Sequence, residues 1–332
     1  MFCINRKIAM TCLGALAVSP ALAVELNTVG DTRFAIGGYV KAQGIFSNPD
    51  QGKSTFDATA SESRMNFRSD STVNGQEVTA FIEGDFYGSN ATGSSSELRL
   101  RQAWVKVGNL TMGQAWSGYT QGIIAYDVVD IWGGGRGDLS GGNFRPTLVR
   151  YESHGFSVSM QDPVYESASF PDTTVTYTQN FEGGHILKGT VATREIENDD
   201  VAVGFSMAAK VMLGRNDIRV NAHYGEGLGA YSLVGVNDAL AGDVENGDAV
   251  SQYGYRVGYR HFFTERLRGN VVHSRTELDD DNETLYKSTH VNLLYRLLPN
   301  MDVGVEWREY NLSLAALRPQ GEQVEVMAKY FF

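Results

Sequence analysis

The chain has 332 residues, with 39 acidic against 28 basic side chains, a formal net charge of -11, 42% hydrophobic residues and a mean hydropathy of -0.24. So acidic a balance argues against nucleic acid as a partner, and past the N-terminal stretch no apolar run approaches the ~18 residues that a membrane helix needs. A membrane-spanning β-barrel stays open, because only alternate residues of its strands meet lipid.

Arg6 and Lys7 lead into an apolar stretch from Ile8 to Val18, followed by the small residues Ala21 and Ala23. This is the pattern of a secretory signal peptide over residues 1–23, so the mature chain is expected to start at Val24. Both cysteines, Cys3 and Cys12, lie in that leader. No disulfide, cysteine-bound metal or other cofactor is therefore expected. Without a proline-rich linker or a shift in composition, residues 24–332 read as one domain.

From Phe34 the residues alternate. Phe34, Ile36, Val40, Ala42 and Phe46 share one parity, and Tyr39, Lys41 and Gln43 the other. A period of two means one apolar and one polar face. Arg64–Asp70 sets Met65 and Phe67 against Arg64, Asn66 and Arg68. Glu77–Tyr87 sets Val78, Ala80, Ile82 and Phe86 against Glu83 and Asp85, and Glu97–Val107 sets Leu98 and Leu100 against Arg99 and Arg101. Further strands are predicted at 110–115, 147–153, 156–162, 173–179, 185–194, 201–213, 218–225, 252–262, 266–276, 287–298, 302–310 and 322–332. The total is about 16, an even number as bacterial barrels require.

Alternation alone also fits a soluble sandwich, but the connections do not. Tight links such as Asn74-Gly75, Gly108-Asn109, His154-Gly155 and Pro299-Asn300 alternate with long ones at 47–62, 88–96, 116–146, 163–172, 195–200, 226–251, 277–286 and 311–321. Short periplasmic turns opposite long extracellular loops are the mark of an all-β transmembrane antiparallel barrel in the bacterial outer membrane. The chain ends on alternating apolar residues with Tyr330 and the terminal aromatic Phe332. That ending is expected to close the barrel at the interfacial girdle and to act as its assembly signal.

Several segments also resemble a known family: Phe34-Ala35-Ile36-Gly37-Gly38-Tyr39-Val40-Lys41, Ser63-Arg64-Met65-Asn66-Phe67, Ile82-Glu83-Gly84-Asp85-Phe86, Leu98-Arg99-Leu100-Arg101-Gln102-Ala103-Trp104, Gly113-Gln114-Ala115-Trp116-Ser117, Arg145-Pro146 and Val149-Arg150-Tyr151. They resemble the DcaP-like porins over most of residues 34–151. The resemblance implies a homotrimeric channel for small anionic organic solutes such as dicarboxylates. The helical N-terminal extension of that family's best-known branch has no counterpart here, since Val24–Arg33 alone precede the first expected strand.

On this reading the water-filled lumen is lined by Lys41, Arg64, Arg68, Glu83, Asp85, Arg99, Arg101 and Arg150, with Arg219, Arg256, Arg260, Glu306 and Arg308 on the same parity. Basic residues outnumber acidic ones on that face, and guanidinium groups suit carboxylates. The competing reading is that these charges pair across strands and stiffen the wall. Loop 116–146, with Asp127, Asp130, Arg136, Asp138 and Arg145, is expected to fold inward and set the narrowest section. Acidic residues crowd other loops: Glu195, Glu197, Asp199 and Asp200, then Asp238, Asp243, Glu245 and Asp248, then Glu277, Asp279, Asp280, Asp281 and Glu283. These are expected to be solvated at the level of lipopolysaccharide. The six histidines lack metal-ligand spacing, and Gly204-Phe205-Ser206-Met207-Ala208 falls within a strand, not at a nucleophile turn. An adhesion or binding barrel, or a barrel hydrolase, are the alternatives to a channel.

Overall fold

The computed structural model describes residues 24–88, 97–119, 126–131, 145–197, 200–232, 242–313 and 318–332. The strands are β1 (Val24–Val29), β2 (Thr32–Pro49), β3 (Thr55–Thr59), β4 (Arg64–Val73), β5 (Gln76–Asp85), β6 (Arg99–Val107), β7 (Leu110–Gln114), β8 (Thr147–Ser153), β9 (Phe156–Gln161) and β10 (Asp172–Asn180). They continue with β11 (Ile186–Glu195), β12 (Val201–Leu213), β13 (Asn216–Glu226), β14 (Val244–Glu245), β15 (Asp248–Ala249), β16 (Ser251–Phe262), β17 (Leu267–Leu278), β18 (Leu285–Leu298), β19 (Met301–Tyr310) and β20 (Gly321–Phe331). No described helix is long and apolar enough to cross a membrane.

Each wall strand pairs antiparallel with its neighbour in sequence, and β20 returns to β2 with Phe331 opposite Tyr39 and Gly321 opposite Pro49. The result is a closed barrel of 16 staves. β3 and β4 together make one stave, β3 beside Gln43–Ser47 and β4 beside Thr32–Tyr39. Closure satisfies the backbone groups that an open edge would leave bare in lipid. Phe332 completes it: its N–H donates to the Gly38 carbonyl at 3.2 Å and its carbonyl accepts from the Gly38 N–H at 3.1 Å.

The alternation in the sequence becomes the two faces of the wall. On β12, Val201, Val203, Phe205 and Met207 point outward and exposed, while Ala202, Ser206 and Ala208 are buried inside. β16 does the same with Tyr253, Tyr255, Val257 and Tyr259 outside and Gln252 and Arg256 inside. A continuous apolar exterior of this kind belongs in hydrocarbon. The periplasmic turns are as tight as expected. Asn74-Gly75 and His154-Gly155 carry positive φ at both positions (51° and 79°, 50° and 85°), the left-handed pair that a two-residue hairpin of this twist needs. A Cβ on Gly155 would come within 2.7 Å of the Thr178 carbonyl oxygen.

Three stretches depart from the sequence reading. Val24–Val29, expected only to lead in, forms β1 and pairs with the start of β2. Within expected loop 47–62, β3 extends the wall, and the chain then kinks inward at Ser61 and Glu62, both buried. Loop 226–251, expected to be solvated, has its described residues Leu228, Ala230, Tyr231, Ser232 and Asp243 wholly buried inside the barrel. Glu195 is likewise buried, accepting from the Ser169 hydroxyl at 2.7 Å. For Glu62 and Asp243 a basic partner on another strand, Lys41 and Arg194, takes the place of water, a contact that local composition does not reveal. Asp199 and Asp238 lie outside the described residues.

Candidate functional site

The inner wall divides into two sides. On β4–β6 the basic groups form an arc at one level, because Arg64 stands opposite Asp85 and Asp85 opposite Arg99. Arg99 grips Asp85 with Nε at 3.0 Å and Nη2 at 2.9 Å. Arg101 bridges Glu83 at 2.9 Å and Asp85 at 2.7 Å, and Arg64 stands 3.7 Å from Glu83. A β-bulge brings Arg101 and Gln102 both inward, since register slips between Glu83 and Gly84. The signal was in the sequence: the apolar parity switches from Leu98 and Leu100 to Ala103, Val105 and Val107.

Two described stretches of loop 116–146 continue this side. Trp116 lies between two guanidiniums, Arg145 at 4.9 Å and Arg101 at 6.0 Å from its ring centroid. Burial, and then the positive charges of Arg101, Arg99 and Arg64, push the Arg145 pKa down. The guanidinium groups of Arg64, Arg99, Arg101 and Arg145 thus crowd one another on this side. Arg150, on β8, donates to the Trp116 carbonyl and, at 3.2 Å, to the Ser159 hydroxyl. Arg68 is set apart. It lies toward the periplasmic end of β4, about half exposed, and chelates Asp70 at 2.8 Å.

Residues 126–131 run inside the barrel, far from the strands that bear the loop. The Tyr126 hydroxyl donates to Asn221 Oδ1 at 2.8 Å. Asp127 accepts from Arg268 at 2.6 Å and faces Arg260 at 3.6 Å. The N–H groups of Val129 and Asp130 donate to the Glu306 carboxylate at 2.8 and 3.2 Å, and Lys41 Nζ donates to the Val129 carbonyl at 2.7 Å. Asp130 accepts from Arg318 Nε at 2.6 Å and from the Tyr310 hydroxyl at 2.5 Å. Burial alone would raise the pKa of Asp127 and Asp130. Arg268 and Arg260 around the first, and Arg318 and Arg308 around the second, outweigh it and hold both carboxyls low. Lys41 and Arg308 are spent on this docking, through Glu62 and Glu325. Arg136 and Asp138 lie outside the described residues.

On the opposite side, around β10–β13, the interior is filled. The Tyr119 and Tyr231 rings stack at 3.7 Å between centroids and 5° between planes, against Leu228, Ala230 and Ala192. Beneath them Arg194, fully buried, meets Asp243 at 2.5 Å and Asp172 at 3.8 Å.

Sequence reasoning missed Glu62, Arg318, Arg194 and Lys329. Glu62 and Arg318 sit in expected loops with no periodicity to place them. Arg194 and Lys329 had a usable signal, inward parity on their strands.

The family model described as the porin subfamily matches residues 29–308. The chain belongs to the porin subfamily. Its porin fold matches the outer membrane channel DcaP of Acinetobacter baumannii, with a TM-score of 0.75 and 21% identity over 94% of this chain and 100% of that one. An anion-selective porin from Comamonas acidovorans follows at 0.68 and 13%, covering 91% and 100%. A trimer form of OmpT from Vibrio cholerae gives 0.62 and 14%, covering 91% and 99%. No curated protein sequence matches the chain. This porin is a β-barrel channel protein of the bacterial outer membrane.

Proposed function

We propose that this porin passes small hydrophilic solutes by passive diffusion and favours anionic organic ones, dicarboxylates among them. The observation that carries the preference is the arc of Arg64, Arg99 and Arg101 together with Arg145. Three guanidiniums share two carboxylates, Glu83 and Asp85, and Arg145 lies over Trp116 beside them. Arg99, with a side chain 35% exposed, can exchange part of its hold on Asp85 for a passing carboxylate. Several weak sites in series let an anion through without trapping it. The Comamonas likeness supports the same direction.

In this reading loop 116–146 is the constriction, docked across the lumen by Asp127 and Asp130, and the solute passes on the Arg64, Arg99 and Arg145 side. The working unit is a homotrimer in outer-membrane lipid and lipopolysaccharide, formed after removal of residues 1–23. The small outward residues Ala42, Ala80 and Gly84 suit a close contact between protomers. Purified mature protein in planar bilayers tests the reading: a salt gradient should give a reversal potential of anion-preferring sign, and dicarboxylate uptake in liposomes should outpace that of a neutral sugar of similar size. A cation-preferring reversal potential defeats the anion claim, and absence of conductance from folded protein defeats the channel claim.

A further inference from the structure

We propose that Lys329 and Arg64, on either side of Tyr39, form a second anion-binding station on the channel wall. It takes the oxygens of a small carboxylate or inorganic oxyanion, and it rests on the anion preference proposed above. Lys329 is an inward residue of β20 whose register partners are Lys41 on β2 and Asp302 on β19. Both are engaged elsewhere: Lys41 with Glu62 at 2.6 Å and Glu325 at 3.0 Å, Asp302 with Arg268 at 2.9 Å and Arg296 at 2.8 Å. Among the described residues no carboxylate forms an ion pair with Lys329. Its ammonium instead lies 3.9 Å from the Tyr39 ring centroid and 4.9 Å from that of Phe331.

Arg64 reaches the same Tyr39 ring from β4, at 5.3 Å. Its nearest acid, Glu83 at 3.7 Å, already accepts from Arg101 at 2.9 Å and Gln102 at 3.3 Å. Among the described residues, Arg64 Nε is buried without a hydrogen-bond partner. An aromatic face holds a cation in place without using its donors, so both groups keep hydrogen-bond donors that the wall leaves open. A lysine serving only as structure would sit against a carboxylate, as Lys41 does. An anion from the lumen supplies the missing acceptor, since guanidinium and ammonium donors bind oxyanions with charge-assisted hydrogen bonds. Tyr39 stands opposite Arg64, and Arg64 level with Asp85 and Arg99. The station therefore extends the basic arc sideways around the barrel, two staves of roughly 4.8 Å each from Arg64 to Lys329.

The test uses the mature protein in planar bilayers with inorganic sulfate as the probe. Cys3 and Cys12 both lie in the expected leader, so Lys329→Cys offers a single thiol. This variant is expected to lower the chloride-over-potassium permeability ratio by about twofold and to weaken sulfate block of the chloride current, as loss of one wall charge does. A cationic methanethiosulfonate reagent should restore both, and a neutral reagent of the same size should restore neither. Arg64→Gln should weaken sulfate block as well. If the cysteine variant does not fold, Lys329→Gln should lose selectivity and Lys329→Arg keep it. A wild-type channel that prefers anions while Lys329→Cys matches it before and after both reagents overturns this proposal and leaves the anion reading standing. Equal rescue by the neutral reagent also overturns it. A wild-type channel that prefers cations overturns both.

Discussion

Arg194 and Arg99 both face the interior from a strand and both hold carboxylates, yet their surroundings differ completely. Arg194 is fully buried against Asp243 and Asp172, under the stacked rings of Tyr231 and Tyr119. Arg99 chelates Asp85 with a side chain 35% exposed. What folds over an inward arginine decides its role. Where described loop residues pack over it, as Tyr119 and Tyr231 do over Arg194, the charge is consumed in holding that loop, whereas Arg99 keeps part of its side chain exposed. The barrel thus carries one residue type, on one face, in two different settings on opposite sides.

The comparison breaks most decisively at Arg194. Replacing Arg194 with Met leaves two buried carboxylates without their cation, and removing one partner of a buried ion pair costs about 3–5 kcal/mol. The expected outcome is a marked fall in the unfolding midpoint, followed by heat-dependent gel mobility, with ion preference unchanged in any folded fraction. Arg99→Gln is expected to do the reverse, since Asp85 keeps Arg101 at 2.7 Å. A change of selectivity in the Arg194 variant would merge the two sides.

The next effect concerns the docked loop. Asp130→Ala removes the closest carboxylate from Arg318, which is fully buried and also meets Glu62 at 3.3 Å. Residues 126–131 are expected to loosen, and single-channel current to become noisier and larger as the constriction widens. A quiet current of wild-type size would mean that the remaining contacts of Tyr126, Asp127 and Val129 suffice to hold the loop.

Acid should separate the sides in opposite directions. The Asp127 and Asp130 carboxyls are held below their usual range, so their contribution to docking is present above about pH 4 and is lost only as pH falls through their depressed folded values. Asp243 behaves the other way. Burial outweighs the hold of Arg194, which Asp172 shares, and raises its pKa to about 6. The folded state therefore binds a proton more tightly than the unfolded one. Stability from this group increases as pH falls from about 6 toward the ordinary carboxylate range. Thermal midpoints measured between pH 7 and pH 5 should rise in the wild type and lose that rise in Asp243→Asn. A slope that survives the substitution contradicts the assignment.

The smallest effect is the selectivity of the open side. Neutralising Arg99 and Arg145 to Gln should move the reversal potential toward cations in dilute salt. The shift should fade near 1 M, where screening shortens to about 3 Å. A shift that persists undiminished in strong salt points to altered shape instead of charge.

The wall was legible in the sequence because its rules are local. A period of two sorts Val201, Val203, Phe205 and Met207 from Ala202, Ser206 and Ala208 without knowledge of any other strand. Asn74-Gly75 and His154-Gly155 announce turns through their own backbone freedom. The parity switch after Leu100 even marked the bulge that turns Arg101 and Gln102 inward together. The interior had no such local rule. Asp130 and Arg318 stand 188 positions apart, and Asp243 and Arg194 49 apart. Nothing in the composition of loop 226–251 separates Asp243, sealed in the barrel, from Asp248 on its surface. Each inward charge chooses among partners that only the closed sheet brings within hydrogen-bond reach. The sequence determined a barrel with a basic inner face; the tertiary structure decided which of those bases are buried as struts and which still face the lumen.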